Sequence, residues 1–165
     1  MKNSTKIMRV NIIAFILTAL AFLPSCEPKD GPCQSQLKWE LESNSSSEIA
    51  AKINNKDHNV DLTVSGLGTI VFRCKNKKEK IYDCSISIDD KWIPNNGPDK
   101  SECFNEDCSQ FNNSIISVTV DRNSNTAIFV FKEMPDKNLS LRVFIGSLEV
   151  GTYFNISVSG KYAQS

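Results

Sequence analysis

The sequence predicts an all-β domain, an antiparallel meander folded into a β-sandwich, with a lipocalin-like barrel as the alternative closure of the same strands. Three observations carry this. Apolar and polar residues alternate in short stretches between Leu37 and Val158, the period of a half-buried strand. Turn residues such as Asn54-Asn55, Ser65-Gly66, Asp89-Asp90 and Pro135-Asp136 separate those stretches, at the close spacing of domains built from hairpins. No window sustains the 3.6-residue period of an amphipathic helix. One short helical turn near Glu102 to Phe111 is the single exception the pattern allows.

The strands follow in order. Leu37, Trp39 and Leu41 alternate with polar residues until Ser43 to Ser47 break the pattern. Ile49 to Ile53 and the alternating Val60, Leu62 and Val64 flank Asn54-Asn55, and Leu67 to Cys74 follows Ser65-Gly66. This region reads as a run of hairpins, closed by the charged loop tip Lys75 to Lys80. Cys84 to Ile88, the tight turn Asp89-Asp90 and Lys91-Trp92-Ile93 form the next pair. Pro94 cannot donate to a ladder, so that strand stops there or lies at an edge. An irregular stretch runs on through Ser109. Ile116, Val118 and Val120 then face Ala127, Phe129 and Phe131 across Asn123-Ser124-Asn125. With Ile128 and Val130 on its other face, the second of these strands is expected to be covered on both sides. Leu139, Leu141, Val143 and Ile145 make the last hairpin with Phe154, Ile156 and Val158.

Ahead of this domain lies an address. Lys2, Lys6 and Arg9 form a basic head and Ile12 to Leu23 is apolar apart from Thr18, which is the layout of a secretory signal. The apolar core falls short of the roughly 20 residues that span a bilayer. Its ending, Leu23-Pro24-Ser25-Cys26, resembles the lipobox of bacterial lipoproteins, in which the signal is removed before a diacylated cysteine. That resemblance implies residues 1–25 as signal peptide, Cys26 as the lipidated first residue, residues 26–36 as a polar tether, and residues 37–165 as a single β-rich domain. An ordinary secretory signal cut near Ser25 is the competing reading. Glu27, Lys29 and Asp30, just after the cysteine, resemble the charged signal that sends some Bacteroidota lipoproteins to the cell exterior. The expected location is therefore the bacterial outer membrane, lipid-anchored and exposed at the cell surface.

Composition limits the partners. The whole chain balances 19 basic against 19 acidic residues, and losing Lys2, Lys6 and Arg9 with the signal leaves the mature part mildly acidic. Such a domain lacks the basic field that phosphate backbones require, which argues against nucleic acid. The membrane is reached through acyl chains, which supply about 0.8 kcal/mol per buried CH₂. Of the six cysteines, committing Cys26 to lipid leaves five, and an exported domain favours disulfides. Cys103 and Cys108 enclose a loop short enough to close locally, Cys74 and Cys84 can face each other across a hairpin, and Cys33 is left over in the tether. The lone histidine, His58, and the cysteine spacing do not suit zinc. No cofactor is expected.

The strand-turn-strand Cys84-Ser85-Ile86-Ser87-Ile88-Asp89-Asp90-Lys91-Trp92-Ile93-Pro94, the lipobox-like start and the closing Val150-Gly151-Thr152-Tyr153 together resemble a group of small uncharacterised Bacteroidota lipoproteins. In that group a cysteine-containing strand enters an asparagine-glycine turn and then a tryptophan before a proline. Asp89-Asp90 stands here in place of asparagine-glycine. The resemblance implies a β fold and an envelope location, and it names no catalytic residue.

Catalytic signatures are missing from the sequence: there is no G-x-S-x-G, H-E-x-x-H or glycine-rich phosphate loop. His58 reads as a turn residue. Asp89, Asp90, Asp99, Glu102, Glu106 and Asp107 can supply a carboxylate pair or oxygen ligands, yet loop carboxylates are ordinarily just solvated. The chain is read as a non-enzyme, an envelope-anchored binding module for a glycan or protein partner. A structural or assembly accessory and a carrier of small apolar ligands are the competing classes. Trp92 and Phe104 are the candidate contact residues, since an aromatic face can stack on a sugar or anchor an interface.

The lipid reading is checked by labelling with palmitate. Wild-type chain is expected to incorporate the label, and Cys26→Ser to lose both label and membrane partition; an unlabelled wild type would overturn it.

Overall fold

The computed structural model describes residues 37–76, 83–93, 105, 109–146 and 150–162. The chain divides into two units, Met1–Cys33 and Gln34–Ser165, and all of the described residues belong to the second. The signal, Cys26, Cys33 and the tether thus lie outside them. Among the described residues there are eleven strands and no helix: β1 (Trp39–Asn44), β2 (Ile49–Asn54), β3 (Asn59–Val64), β4 (Gly68–Cys74), β5 (Asp83–Ile88), β6 (Lys91–Ile93), β7 (Gln110–Asn112), β8 (Ile116–Asp121), β9 (Thr126–Phe131), β10 (Leu139–Gly146) and β11 (Gly151–Val158).

The strands form a sandwich. One sheet has the order β1-β4-β9-β8-β7 and the other β2-β3-β11-β10-β5-β6. Each sheet keeps two edge strands, so the strands do not close into a barrel. The path is less simple than a meander, because the chain changes sheet between β1 and β2, β3 and β4, β4 and β5, β6 and β7, and β9 and β10. Eight of the nine pairings are antiparallel, but β3 and β11 run parallel, with Tyr153 beside Asn59 and Val158 beside Val64. Ser65-Gly66 is therefore a change of sheet and not a hairpin turn. Of the expected hairpin run only β2–β3 is one.

Other expectations change in detail. The helical turn allowed near Glu102 to Phe111 gives way at its end to β7, where Phe111 is buried; residues 102–104 and 106–108 of that span lie outside the described set. The strand β9 buries Ala127, Phe129 and Phe131 but leaves Ile128 and Val130 half-buried, so its outer face is not covered. Leu41 sits on the edge strand β1 beside a bulge between Leu41 and Ser43. A bulge adds local twist, and Leu41 stays 47% exposed while Leu37 and Trp39 are buried.

Turn chemistry fixes the hairpins locally. Asp89 and Asp90 both have positive φ, 46° and 62°, the two-residue conformation whose twist matches paired strands. The acids thus adopt the turn that asparagine-glycine favours. Asp121 accepts hydrogen bonds from the Asn123 amide at 2.8 Å and the Ser124 hydroxyl at 2.7 Å, which holds its carboxyl below the usual carboxylate range, the Ser124 bond contributing most. His58 ends the β2–β3 turn with φ 56°, as a turn residue.

Between the sheets lies one apolar core, in which Val60, Leu62, Ile70, Ile86, Val118, Val143 and Ile156 are all buried. Phe154 from the six-stranded sheet reaches three aromatic rings of the other sheet: Trp39 at 5.3 Å, Phe72 at 5.3 Å and Phe129 at 5.0 Å between centroids. Trp39 is tied by its polar atom as well, since Nε1 donates to Thr152 Oγ1 at 2.9 Å in a buried bond. Its backbone is clamped by Asn55, which accepts from the Trp39 amide at 2.9 Å and donates to the Trp39 carbonyl at 3.1 Å. Edge strand β1 is thereby fixed to the opposite sheet by polar contacts at two points.

Thr152→Val keeps the shape and strands the indole N–H, and a buried donor without a partner costs about 1–3 kcal/mol. Urea unfolding is expected to show that loss, with an unchanged m-value.

Candidate functional site

In a strand, successive side chains point to opposite faces. In β10, Leu141, Val143 and Ile145 enter the core, so Ser140, Arg142 and Phe144 take the outer parity; in β11 the outer set is Tyr153, Asn155 and Ser157. Register then assembles rows across the six-stranded sheet. Thr63, Ser157 and Ser140 form one row, Lys52, Asp61, Asn155, Arg142 and Ser87 a second, and Asn54, Asn59, Tyr153, Phe144 and Ser85 a third.

The third row carries the departure from rule. Phe144 and Tyr153 occupy positions where alternation calls for polar residues, and Tyr153 is 38% exposed. Their rings lie 5.2 Å apart between centroids, tilted by 55°. The Arg142 guanidinium sits 4.1 Å from the Tyr153 ring centroid, within the range of a cation–π contact. Glycines complete the arrangement. Gly146 and Gly151 face each other at the end of the ladder, and a Cβ at Gly151 would fall 2.1 Å from atoms of the Phe144 ring. The ring therefore rests on a bed that only glycine leaves open.

Beside the aromatics, Asn155 Nδ2 donates to Asp61 Oδ1 at 2.9 Å. At the far end of the face an open groove of about 350 Å³ is lined by Thr63, Asp89, Asn138, Ser140, Ser157 and Ser159 over Leu139 and Val158. Asp89 Oδ1 accepts from the Ser140 amide at 3.1 Å and Asn138 Oδ1 from the Gly160 amide at 2.9 Å. The hydroxyls and the Asn138 amide can both donate and accept, while the Asp89 carboxylate accepts only.

The residues singled out from sequence are distributed unevenly. The backbone of Trp92 lies in β6, in register with Ser87 and so at the end of the Arg142 row; its side chain lies outside the described residues, as do Phe104, Cys103 and Cys108. Asp89 is brought to the groove, whereas Asp99, Glu102, Glu106 and Asp107 fall outside the described set. Cys74 and Cys84 are both buried but do not face each other across a hairpin: Cys74 pairs with Trp39 in one sheet and Cys84 with Ile145 in the other. A bridge between them would join the two sheets. Among the described residues no group of three or more His, Cys, Asp or Glu is placed to hold a metal ion, and no helix is long and apolar enough to cross a membrane.

Sequence reasoning passed over Arg142, Phe144, Tyr153 and Asn155. The signal that finds them is parity: two aromatics on the polar side of adjacent alternating strands, each within two residues of a glycine. Gly151→Ala is expected to lift the Phe144 ring off its bed and away from Tyr153, changing the near-ultraviolet circular dichroism while the far-ultraviolet β signal stays.

No protein-family model matches this chain, and a search of curated proteins gives no match. Among solved structures it is similar to the NMR structure of a protein from Bacteroides thetaiotaomicron, with a TM-score of 0.48 and 16% sequence identity over 76% of this chain and 89% of that one.

Proposed function

We propose that this chain is an envelope-anchored lipoprotein, held to the bacterial outer membrane through Cys26 and displayed at the cell surface, whose sandwich is a binding module. Its ligand surface is the outer face of the six-stranded sheet. One observation carries the reading: an aromatic pair with a cation over its Tyr153 ring and two glycines beneath its Phe144 ring, on a face that is otherwise polar. Such a stack offers a flat apolar patch with fixed donors beside it, the combination that recognises ring-shaped or amphipathic ligands.

The geometry also fits a tethered receptor. β10 and β11 are paired on both sides, so the contact residues stand on rigid central strands and need little ordering when a ligand arrives. The opposite outer face, around Val71, Ile128 and Val130, offers half-buried aliphatics without an aromatic pair.

A glycan array probed with the mature chain tests this. Wild type is expected to be retained on a subset of glycans, and Phe144→Ala with Tyr153→Ala to lose that retention while keeping the β-sheet dichroism. Retention unchanged by the double substitution would move the binding surface elsewhere and refute the assignment.

A further inference from the structure

We propose that the ligand taken by this face is a carboxylate-bearing oligosaccharide, with Arg142 as the residue that grips its acid group; this rests on the binding reading above. Arg73 is paired with Glu42, but Arg142 has no carboxylate partner among the described residues, and its contact is the Tyr153 ring. Its row neighbours are Ser87 and Asn155. The acid on that row, Asp61, stands two strands away, roughly 9.5 Å at ordinary strand spacing, and accepts from the Asn155 amide. The guanidinium is exposed and lies over the Tyr153 ring, and its planar fork of donors meets no acceptor among the described residues. A carboxylate accepts that fork through two parallel bonds.

The rest of the face selects the kind of acid. From Phe144 to Ser140 is four residues along β10, about 14 Å, and over that length the surface passes from aromatic rings through Arg142 and Asn155 to the hydroxyl-lined groove. That is the reach of several sugar rings in line. Saccharide hydroxyls both donate and accept, as do Thr63, Ser140, Ser157 and Ser159, and the C–H faces of sugars suit Phe144 and Tyr153. A peptide strand finds less here. The backbone of β10 and β11 is already paired on both sides, which leaves no main-chain ladder to extend. Asp89 in the groove further places the ligand's charge at the Arg142 end.

Calorimetric titration of the mature full-length chain with oligogalacturonate, oligoglucuronate and oligomannuronate, beside the carboxyl-reduced form of each and an oligoglutamate, tests the proposal. At least one uronate is expected to bind. Arg142→Gln should weaken it about tenfold or more with an unchanged melting temperature, Arg142→Lys should restore only part, and the carboxyl-reduced form should bind more weakly than the acid and be indifferent to Arg142. Equal binding of acid and reduced forms, both insensitive to Arg142→Gln yet lost in Phe144→Ala, would overturn the acid assignment and leave the binding face standing. Binding of oligoglutamate in preference to every uronate would overturn the saccharide assignment. No binding by any uronate would overturn the proposal outright, and the array experiment separately decides the face.

Discussion

The contact on which this architecture depends is the meeting of Phe154 with Trp39, Phe72 and Phe129 between the sheets. A sandwich is held by the complementarity of its two inner faces, and here one ring from the six-stranded sheet fits among three from the five-stranded sheet. Truncating a buried phenylalanine to alanine typically costs about 3–5 kcal/mol, a large share of what a domain of this size has. The cluster also fixes position along the chain. Trp39 comes from the first strand and Phe154 from the last, so the core cannot form until the two ends of the domain have met.

That long-range constraint is repeated in the ladders. β3 and β11 pair in parallel although they belong to opposite ends of the domain, and this pairing joins the β2–β3 and β10–β11 hairpins into one sheet. Parallel neighbours require a crossing connection, which here runs through β4 to β10 and passes through both sheets. Topologies rich in such non-local pairs close large loops before they gain contacts and fold slowly. Asn55 and Thr152 add direction to an otherwise greasy interface, because each satisfies polar atoms of Trp39 from the opposite sheet.

Much of this was legible in local sequence and some was not. Alternation gave nearly every strand, and Asp89-Asp90 and Asn123-Ser124-Asn125 gave their hairpins, because side-chain parity and turn geometry are local properties. Sheet membership was hidden. Ser65-Gly66 reads as a turn whether the chain returns beside β3 or leaves for the other sheet, and the same ambiguity placed Cys74 and Cys84 across a hairpin that does not exist. β7 was missed because Gln110-Phe111-Asn112 is too short to show a period. The candidate site was half visible: an aromatic residue at the polar parity of a strand can be read directly, but the neighbour that makes Phe144 meaningful, Tyr153, becomes a neighbour only once register is known.

Parity also explains why the site lies where it does. The inner face of β10 and β11 is committed to the core and cannot vary without opening a cavity, while their outer face is free of that demand and is still held rigid by pairing on both sides. Away from the groove at its far end, the outer face of these strands has no walls of its own, so recognition there needs side chains that stand in fixed poses. Stacking Arg142 on Tyr153 and resting Phe144 on Gly151 provide such poses, because each group is oriented by the one beneath it. The glycines contribute by what they omit: at Gly146 an added Cβ would come within 2.6 Å of the Gly151 Cα and the Val150 carbonyl oxygen. Close approach of two backbones at the sheet's end and a level seat for an exposed ring are thus two consequences of the same missing side chains.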